Sequence, residues 1–98
     1  MKSSVITLIV PINAKRGKED EVRKRIIELA KKTRKEKGNI NYILNEAVDK
    51  PGKFVIYENW KNQKALDFHM EQEYLQSFLA DSKKFLSGKV VGTFCKAF

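Results

Sequence analysis

The feature that most constrains the fold is a tight turn between two strand-like segments. Residues 40–48 (INYILNEAV) and 54–60 (FVIYENW) are rich in β-branched and aromatic residues, and DKPGK at 49–53 separates them. Pro51 and Gly52 supply the backbone angles that a turn requires. Two strands joined by so short a connection pair antiparallel, so this part of the chain is predicted to form a β-hairpin.

The segment before the hairpin predicts one strand and one helix. Residues 4–10, SVITLIV, form a β-branched run that is predicted to end at Pro11. From Lys18 to about Lys37, apolar residues recur at helical spacing, and Gly38 is predicted to stop this helix. The buried stripe of the helix is predicted to be Val22, Ile26, Leu29, Ala30 and Thr33.

The segment after the hairpin predicts a bent helical region and a last strand. The helical region begins near Asn62, bends before Glu73 and ends at Gly88, and residues 89–98 (KVVGTFCKAF) form the strand. The resulting order is β-α-β-β-α-β. We therefore predict a single α+β domain over residues 1–98, with a ferredoxin-like fold and a four-stranded antiparallel sheet.

The first predicted strand is apolar on both of its faces. Its apolar residues are Val5, Ile6, Leu8, Ile9 and Val10. Two helices can cover only one face of a four-stranded sheet, so the other face must meet another surface. The simplest such surface is the same face of a second copy. We therefore expect a homodimer in which two sheets face each other.

The net charge is +8, from 20 Lys and Arg against 12 Asp and Glu. Much of the charge lies in residues 15–37, where basic and acidic side chains alternate along the predicted helix. A solvated helix face is the simplest interpretation of such a run. Nucleic acid, acidic lipid and an anionic substrate remain as alternative partners, because a positive field attracts anions.

Several features indicate a soluble protein of the cytoplasm. Lys2 precedes a short apolar run without an A-x-A-like cleavage site, which argues against a signal peptide. No apolar stretch approaches the roughly 20 residues that cross a bilayer, so no membrane partner is expected. Cys95 is the only cysteine, and a reducing compartment is the default for such a chain.

Residues 57–78, YENWKNQKALDFHMEQEYLQSF, resemble the antibiotic biosynthesis monooxygenase family. Members typically carry an aromatic-E-x-W strand end, a helix with A-L-x-x-H, an aromatic residue and then x-x-F. The upstream EKGNINY at 36–42 resembles the E-P-G-x-x-x-Y/F segment of the family, with Lys37 where Pro is usual. The matching positions after residue 56 are Tyr57, Glu58, Trp60, Ala65, Leu66, His69, Tyr74 and Phe78.

This resemblance implies a dimeric α+β barrel with a pocket between each sheet and its helices. It also implies cofactor-independent oxidation of a quinol or polyphenol by molecular oxygen. His69 and Glu58 are the expected catalytic residues, because an imidazole or a buried carboxylate can take a hydroxyl proton. The expected substrate contacts are Trp60, Tyr42, Tyr74 and Phe78.

The residues by themselves leave structural alternatives open for this site. Glu58 can serve as a structural partner, Trp60 as a core anchor and His69 as a histidine bridging helix turns. No cofactor or metal site is expected, because the chain has no G-x-G-x-x-G, no P-loop and one histidine.

The resemblance and the order of elements also leave other functions as alternatives. One family branch degrades haem with an Asn, Trp and His set, of which only the Trp has an evident match, and another isomerises a phosphorylated sugar. From a different class, RNA-recognition domains share the order of elements, and KPGKFVIY at 50–57 partly matches their third-strand motif. Two of the three stacking rings of that motif are absent, so specific nucleic acid binding is not expected.

Overall fold

The computed structural model describes residues 4–98, and its strands form one antiparallel sheet in the order β2-β3-β1-β4. The predicted βαββαβ arrangement is confirmed. Lys2, considered above for a leader peptide, and the rest of the first three residues lie outside the described part. The elements are β1 Ile6–Asn13, α1 Glu19–Thr33, β2 Asn39–Glu46, β3 Lys53–Trp60, α2 Gln63–Met70, α3 Glu73–Phe85 and β4 Thr93–Cys95.

β1 does not end at Pro11, where the sequence predicted its end. Pro11 lies within the strand and pairs with Val55 of β3. β4 pairs only with Thr7, Leu8 and Ile9 of β1, so no described strand covers that edge of β1 further along. A proline is tolerated there because its missing N–H is not needed by a neighbouring strand.

α1 ends at Thr33 instead of near Lys37. Its predicted buried stripe is confirmed, but turns replace the helix after Thr33, with Glu36 N bonding Thr33 O and Asn39 N bonding Glu36 O. These turns carry the Glu36 side chain into the interior, where it is 6% exposed. They also bring Gly38 against α2, where a Cβ on Gly38 would lie 2.2 Å from Ala65 Cβ. Only a glycine permits this close approach.

The predicted bend before Glu73 is confirmed, since α2 and α3 are separate helices. α3 ends at Phe85, earlier than the predicted Gly88, and Leu86 follows in extended conformation. The last strand is also shorter than the predicted 89–98, because only Thr93–Cys95 pairs with β1. Before it, Gly92 lies so close to Leu8 that a Cβ there would be 3.1 Å from Leu8 Cγ.

The inner face of the sheet packs under the helices and holds the core. Strand register places Tyr42, Glu58 and Leu8 in one row across β2, β3 and β1 on this face. The largest fully buried side chains of the core are Trp60, Phe54, Phe85, Ile26, Ile56 and Val22. The candidate functional residues therefore lie within the core itself.

The outer face of the sheet is mixed, whereas the sequence predicted an apolar surface. One row across the strands is Ile43, Tyr57 and Ile9, and the next is polar. In that polar row, Asn59 Nδ2 donates to Asn41 Oδ1 at 2.9 Å and Thr7 Oγ1 donates to Asn59 Oδ1 at 2.5 Å. No described helix covers this face. Within residues 4–98 no helix is long and apolar enough to cross a membrane.

Candidate functional site

A cavity of about 120 Å³ lies between the inner face of the sheet and the helices. Its walls are largely apolar, and three polar side chains interrupt them: Tyr42 from β2, Glu58 from β3 and His69 from α2. Leu75 and Phe78 of α3 are among the apolar residues that line it. A mostly apolar cavity with a few converging polar groups is the usual form of a small-molecule site.

His69 is held in one orientation by a buried carboxylate. Asn62 caps α2 by accepting a hydrogen bond from Ala65 N, which fixes the helix that carries the imidazole. The Nδ1 atom of His69 lies 2.8 Å from Glu36 Oε2, and the two side chains are 4% and 6% exposed. Nε2 makes no hydrogen bond to any residue of the described chain. A carboxylate at Nδ1 favours the tautomer with the proton on Nδ1, which leaves the lone pair on Nε2.

Glu36 is the functional residue that sequence reasoning missed. Tyr74 Oη donates to the same Oε2 atom that faces His69, while Glu36 Oε1 is buried without a hydrogen-bond partner among the described residues. Burial and the neighbouring Glu36 carboxylate raise the pKa of Tyr74, so the phenol stays a neutral donor. The only sequence signal was the position of Glu36 in the EKGNINY segment, to which no role was assigned.

Glu58 and Trp60 form a hydrogen-bonded pair on one face of β3. Trp60 Nε1 donates to Glu58 Oε1 at 2.8 Å, and the other carboxylate oxygen accepts no hydrogen bond from the described residues. Burial raises the pKa of Glu58, while the Trp60 hydrogen bond and the nearby His69 oppose that shift. Trp60 is fully buried, and its ring lies 4.5 Å from the His69 ring. The indole therefore fixes both groups from behind.

Tyr42 stands directly opposite Glu58 on the neighbouring strand. Its ring centroid is 6.3 Å from that of His69, and its hydroxyl makes no hydrogen bond within the described chain. Burial, and then the negative charge of Glu58, raise the pKa of Tyr42 far above its ordinary value. The phenol therefore remains protonated at physiological pH and can donate a hydrogen bond to a ligand.

The structure brings four of the six predicted site residues to the cavity. Tyr42, Glu58, His69 and Phe78 line it, whereas Trp60 packs behind the polar groups. Tyr74 instead lines a separate surface groove of about 610 Å³, together with Glu36. Across residues 4–98, no three His, Cys, Asp or Glu side chains cluster in a way that could hold a metal ion.

Comparison with known proteins identifies the family. The family model described as "Antibiotic biosynthesis monooxygenase" matches residues 5–81. The chain belongs to the antibiotic biosynthesis monooxygenase family. This match includes every cavity residue named above, from Tyr42 to Phe78.

Individual proteins and solved structures are similar to this chain over most of its length. A Bacillus subtilis protein named "Putative monooxygenase YcnE" is 36% identical over 83 residues, which cover 85% of this chain and 87% of that protein. The structure titled "Putative antibiotic biosynthesis monooxygenase from Nitrosomonas europaea" matches with a TM-score of 0.89 at 18% identity, over 99% of this chain and 93% of that one. Rv0793 from Mycobacterium tuberculosis matches with a TM-score of 0.87 at 23% identity, over 97% and 96%. At these identities the two structures show the fold alone.

The tautomer of His69 can be read directly, because it is the only histidine. In ¹⁵N NMR of histidine-labelled protein at about pH 8, we expect a protonated Nδ1 and an unprotonated Nε2. Glu36→Gln should average the two nitrogen shifts, because an amide can either donate or accept at Nδ1. The control is Glu28→Gln, which alters an exposed carboxylate of α1 and should change neither shift. A proton on Nε2 in the wild type would contradict this orientation.

Glu58 should make the stability of the protein fall as pH rises. The folded-state pKa of Glu58 is raised above its ordinary value of 4.5, so the folded state binds the proton more tightly than the unfolded state. This stabilisation is present at low pH and is lost as pH rises through the folded pKa. Glu58→Gln removes the titration while keeping an acceptor for Trp60. In urea unfolding, the free energy of unfolding of Glu58→Gln minus that of wild type should increase from pH 4.5 upward and then level off. A gain that is independent of pH would refute the assignment.

Proposed function

We propose that this protein is a monooxygenase that oxidises a small quinol with molecular oxygen and without a cofactor, inside the apolar cavity. The observation that carries the proposal is the set of polar atoms that the cavity leaves unpartnered within the described chain. They are His69 Nε2, the Tyr42 hydroxyl and one oxygen of Glu58. Unpaired polar groups in an apolar site favour a ligand that supplies the missing hydrogen bonds.

The volume of the cavity narrows the substrate. A dry protein cavity of roughly 150 Å³ holds a benzene molecule. The present cavity of about 120 Å³ is smaller than this, so its size favours a ligand of no more than one aromatic ring. Larger polycyclic quinols would require the apolar side chains Met70 and Phe78 to move. Among quinols, a single-ring hydroquinone is the nearest to the cavity in size, and its two hydroxyl groups can meet the unpartnered polar atoms.

In the proposed reaction, His69 is the general base and Glu36 is its positioning residue. Nε2 takes a hydroxyl proton from the quinol, and the Glu36 carboxylate at Nδ1 stabilises the imidazolium that forms. The anionic ring then passes one electron to oxygen. The resulting semiquinone and superoxide combine at a ring carbon, and the imidazolium returns its proton to give a ring hydroperoxide.

Glu58 is the proposed proton donor for the last step. The hydroperoxide loses water, so one quinol and one oxygen molecule give one hydroxyquinone and one water, and the ring supplies all four electrons. A carboxyl group whose pKa is raised by burial keeps its proton over a wider pH range, which suits donation to the leaving oxygen. Tyr42 can donate to the second substrate oxygen and fix the ring.

The same cavity argues against a phosphorylated substrate at this site. Neither Lys nor Arg is among the described residues that line it. A buried phosphate without a cationic partner is strongly disfavoured. The cavity therefore does not support the sugar-phosphate isomerase alternative. It supports a neutral aromatic ligand.

Oxygen uptake tests the proposal. With a single-ring methoxyhydroquinone, His69→Gln should lower kcat/KM by at least about 100-fold, because general base catalysis is typically worth that much. Glu36→Gln should lower kcat by about tenfold with little change in KM, since it acts on the base and not on binding. A tricyclic anthrone should be oxidised far more slowly than the single-ring quinol.

The oxygen measurement has two controls. A blank without protein measures autoxidation of the quinol. Glu28→Gln removes an exposed carboxylate of α1 that does not line the cavity, so the kinetics of this variant should match those of wild type. Equal rates of oxygen uptake for wild type, His69→Gln and the blank would contradict the oxygenase proposal.

The proposal includes a homodimer formed through the outer face of the sheet. Helices α1, α2 and α3 all pack on the inner face, and Ile43 on the outer face is 46% exposed. Ile9 and Tyr57 extend the apolar row beside it. The hydrogen-bonded Thr7, Asn59 and Asn41 lie next to this row and can fix the register of two facing sheets.

Sedimentation tests the dimer. At micromolar concentration, the wild type should sediment at twice the chain mass of 11.4 kDa. Ile43→Lys should shift the species toward the monomer, because it places a charge in the apolar row of the proposed interface. Lys50→Glu, on the exposed hairpin turn, is the matched control and should remain dimeric. A monomeric wild type would refute the proposed interface.

The proposed setting is the cytoplasm. The support is the single cysteine, which leaves no intrachain disulfide to form.

A further inference from the structure

A second cavity lies outside the proposed active site, and its lining is strongly basic. This basic groove of about 610 Å³ runs between the end of α1 with its following turn and the start of α2. Five of its lining residues are lysines, and Glu36 is the only acid among them. The lysines are Lys32, Lys35, Lys37, Lys61 and Lys64.

The groove lysines have no carboxylate partners in the described chain. Elsewhere on α1 several cations are paired, as in Arg23 with Glu46 at 2.6 Å and Arg25 with Glu21 at 3.2 Å. None of the ion pairs among residues 4–98 includes a groove lysine. Glu36 is already engaged by His69 and Tyr74 through one oxygen. The groove is therefore a positive surface that is not neutralised from within.

The floor of the groove is aromatic and apolar. Phe68 of α2 is 55% exposed, which is unusual for a phenylalanine amid lysines, and Ala65 and Tyr74 lie beside it. Lys32 Nζ sits 5.8 Å from the centre of the Tyr74 ring. Glu36 lines this groove and not the apolar cavity, and its Oε1 is a buried acceptor without a partner among the described residues.

These features together define a ligand with three parts. Lysines at the rim match phosphate groups. The exposed Phe68 ring matches a planar aromatic group, because nucleic acid bases stack on such rings. The unpartnered Glu36 oxygen matches an N–H donor such as the exocyclic amine of adenine. A nucleotide carries all three parts.

We propose that the basic groove is a binding site for a mononucleotide, separate from the quinol cavity. The aromatic base lies against Phe68, and the phosphates lie among Lys35, Lys61 and Lys64. The volume of the groove is in the range of about 300–1,000 Å³ that is usual for small-ligand pockets. A single nucleotide fits this volume.

Fluorescence anisotropy with mant-ADP, a fluorescent ADP derivative, tests the site. Wild type should bind the probe, and unlabelled ADP should displace it. Lys35→Glu combined with Lys61→Glu should weaken binding at least about tenfold, because two phosphate contacts become repulsive. The matched variant Lys50→Glu with Lys53→Glu reverses the same number of charges on the hairpin and should bind within about twofold of wild type.

The aromatic part of the site has its own variants and competitors. Phe68→Ala should weaken mant-ADP binding by at least about fivefold through lost stacking. Phe94→Ala, which removes another exposed ring outside the groove, should leave binding unchanged. ADP should compete better than pyrophosphate or ribose 5-phosphate, since neither carries the base.

Four results would overturn the proposal. Absence of mant-ADP binding would show that the groove is not a nucleotide site. Equal weakening by the groove and hairpin charge reversals would show that binding depends only on the net positive charge of the protein. Pyrophosphate that competes as well as ADP would make the groove a simple phosphate site. A hexa-adenylate RNA that binds more than about tenfold tighter than ADP would identify an RNA surface instead.

Discussion

The two-sided pairing of β3 fixes both the core and the candidate site. β3 is in register with β1 on one edge and with β2 on the other, so its side-chain alternation cannot shift independently. A shift of β3 by one residue would turn Asn59 toward the inner face of the sheet and Glu58 toward the outer face. The hydrophobic packing that specifies the register therefore also places the carboxylate. The inward residues of β3 are Phe54, Ile56, Glu58 and Trp60.

Sequence patterns were sufficient for the order of elements because each element repeats its own period. The α1 stripe and the hairpin turn were predicted from local spacing alone, and both are confirmed. The ends of elements were less predictable, because they depend on what lies across from them. Pro11 stays within β1 only because β4 is too short to reach it. α1 stops at Thr33 because the following turns must bring Gly38 against Ala65.

From residue spacing alone, contacts within the candidate site could be predicted only between residues of one element. The spacing of Glu58 and Trp60 already placed both on one face of a strand, and the structure joins them by a hydrogen bond. The contact of Glu36 with His69 spans 33 residues and depends on the turn after α1, which no local pattern encodes. The contact of Tyr74 with Glu36 was equally unpredictable from local patterns. The helical spacing of Tyr74 was correct, but the direction of its hydroxyl toward Glu36 followed from tertiary packing.

The distribution of charge between the two cavities has a consequence for the proposed chemistry. The protein carries a net charge of +8, yet none of the described residues lining the apolar cavity is Lys or Arg. In the proposed reaction, the positive charge in that cavity is the one that His69 gains with the substrate proton. This imidazolium, held by Glu36, then lies beside the anionic ring and the superoxide that follows. Stabilisation that arises with the reaction, and is absent from the bound neutral quinol, lowers the barrier without tightening ground-state binding.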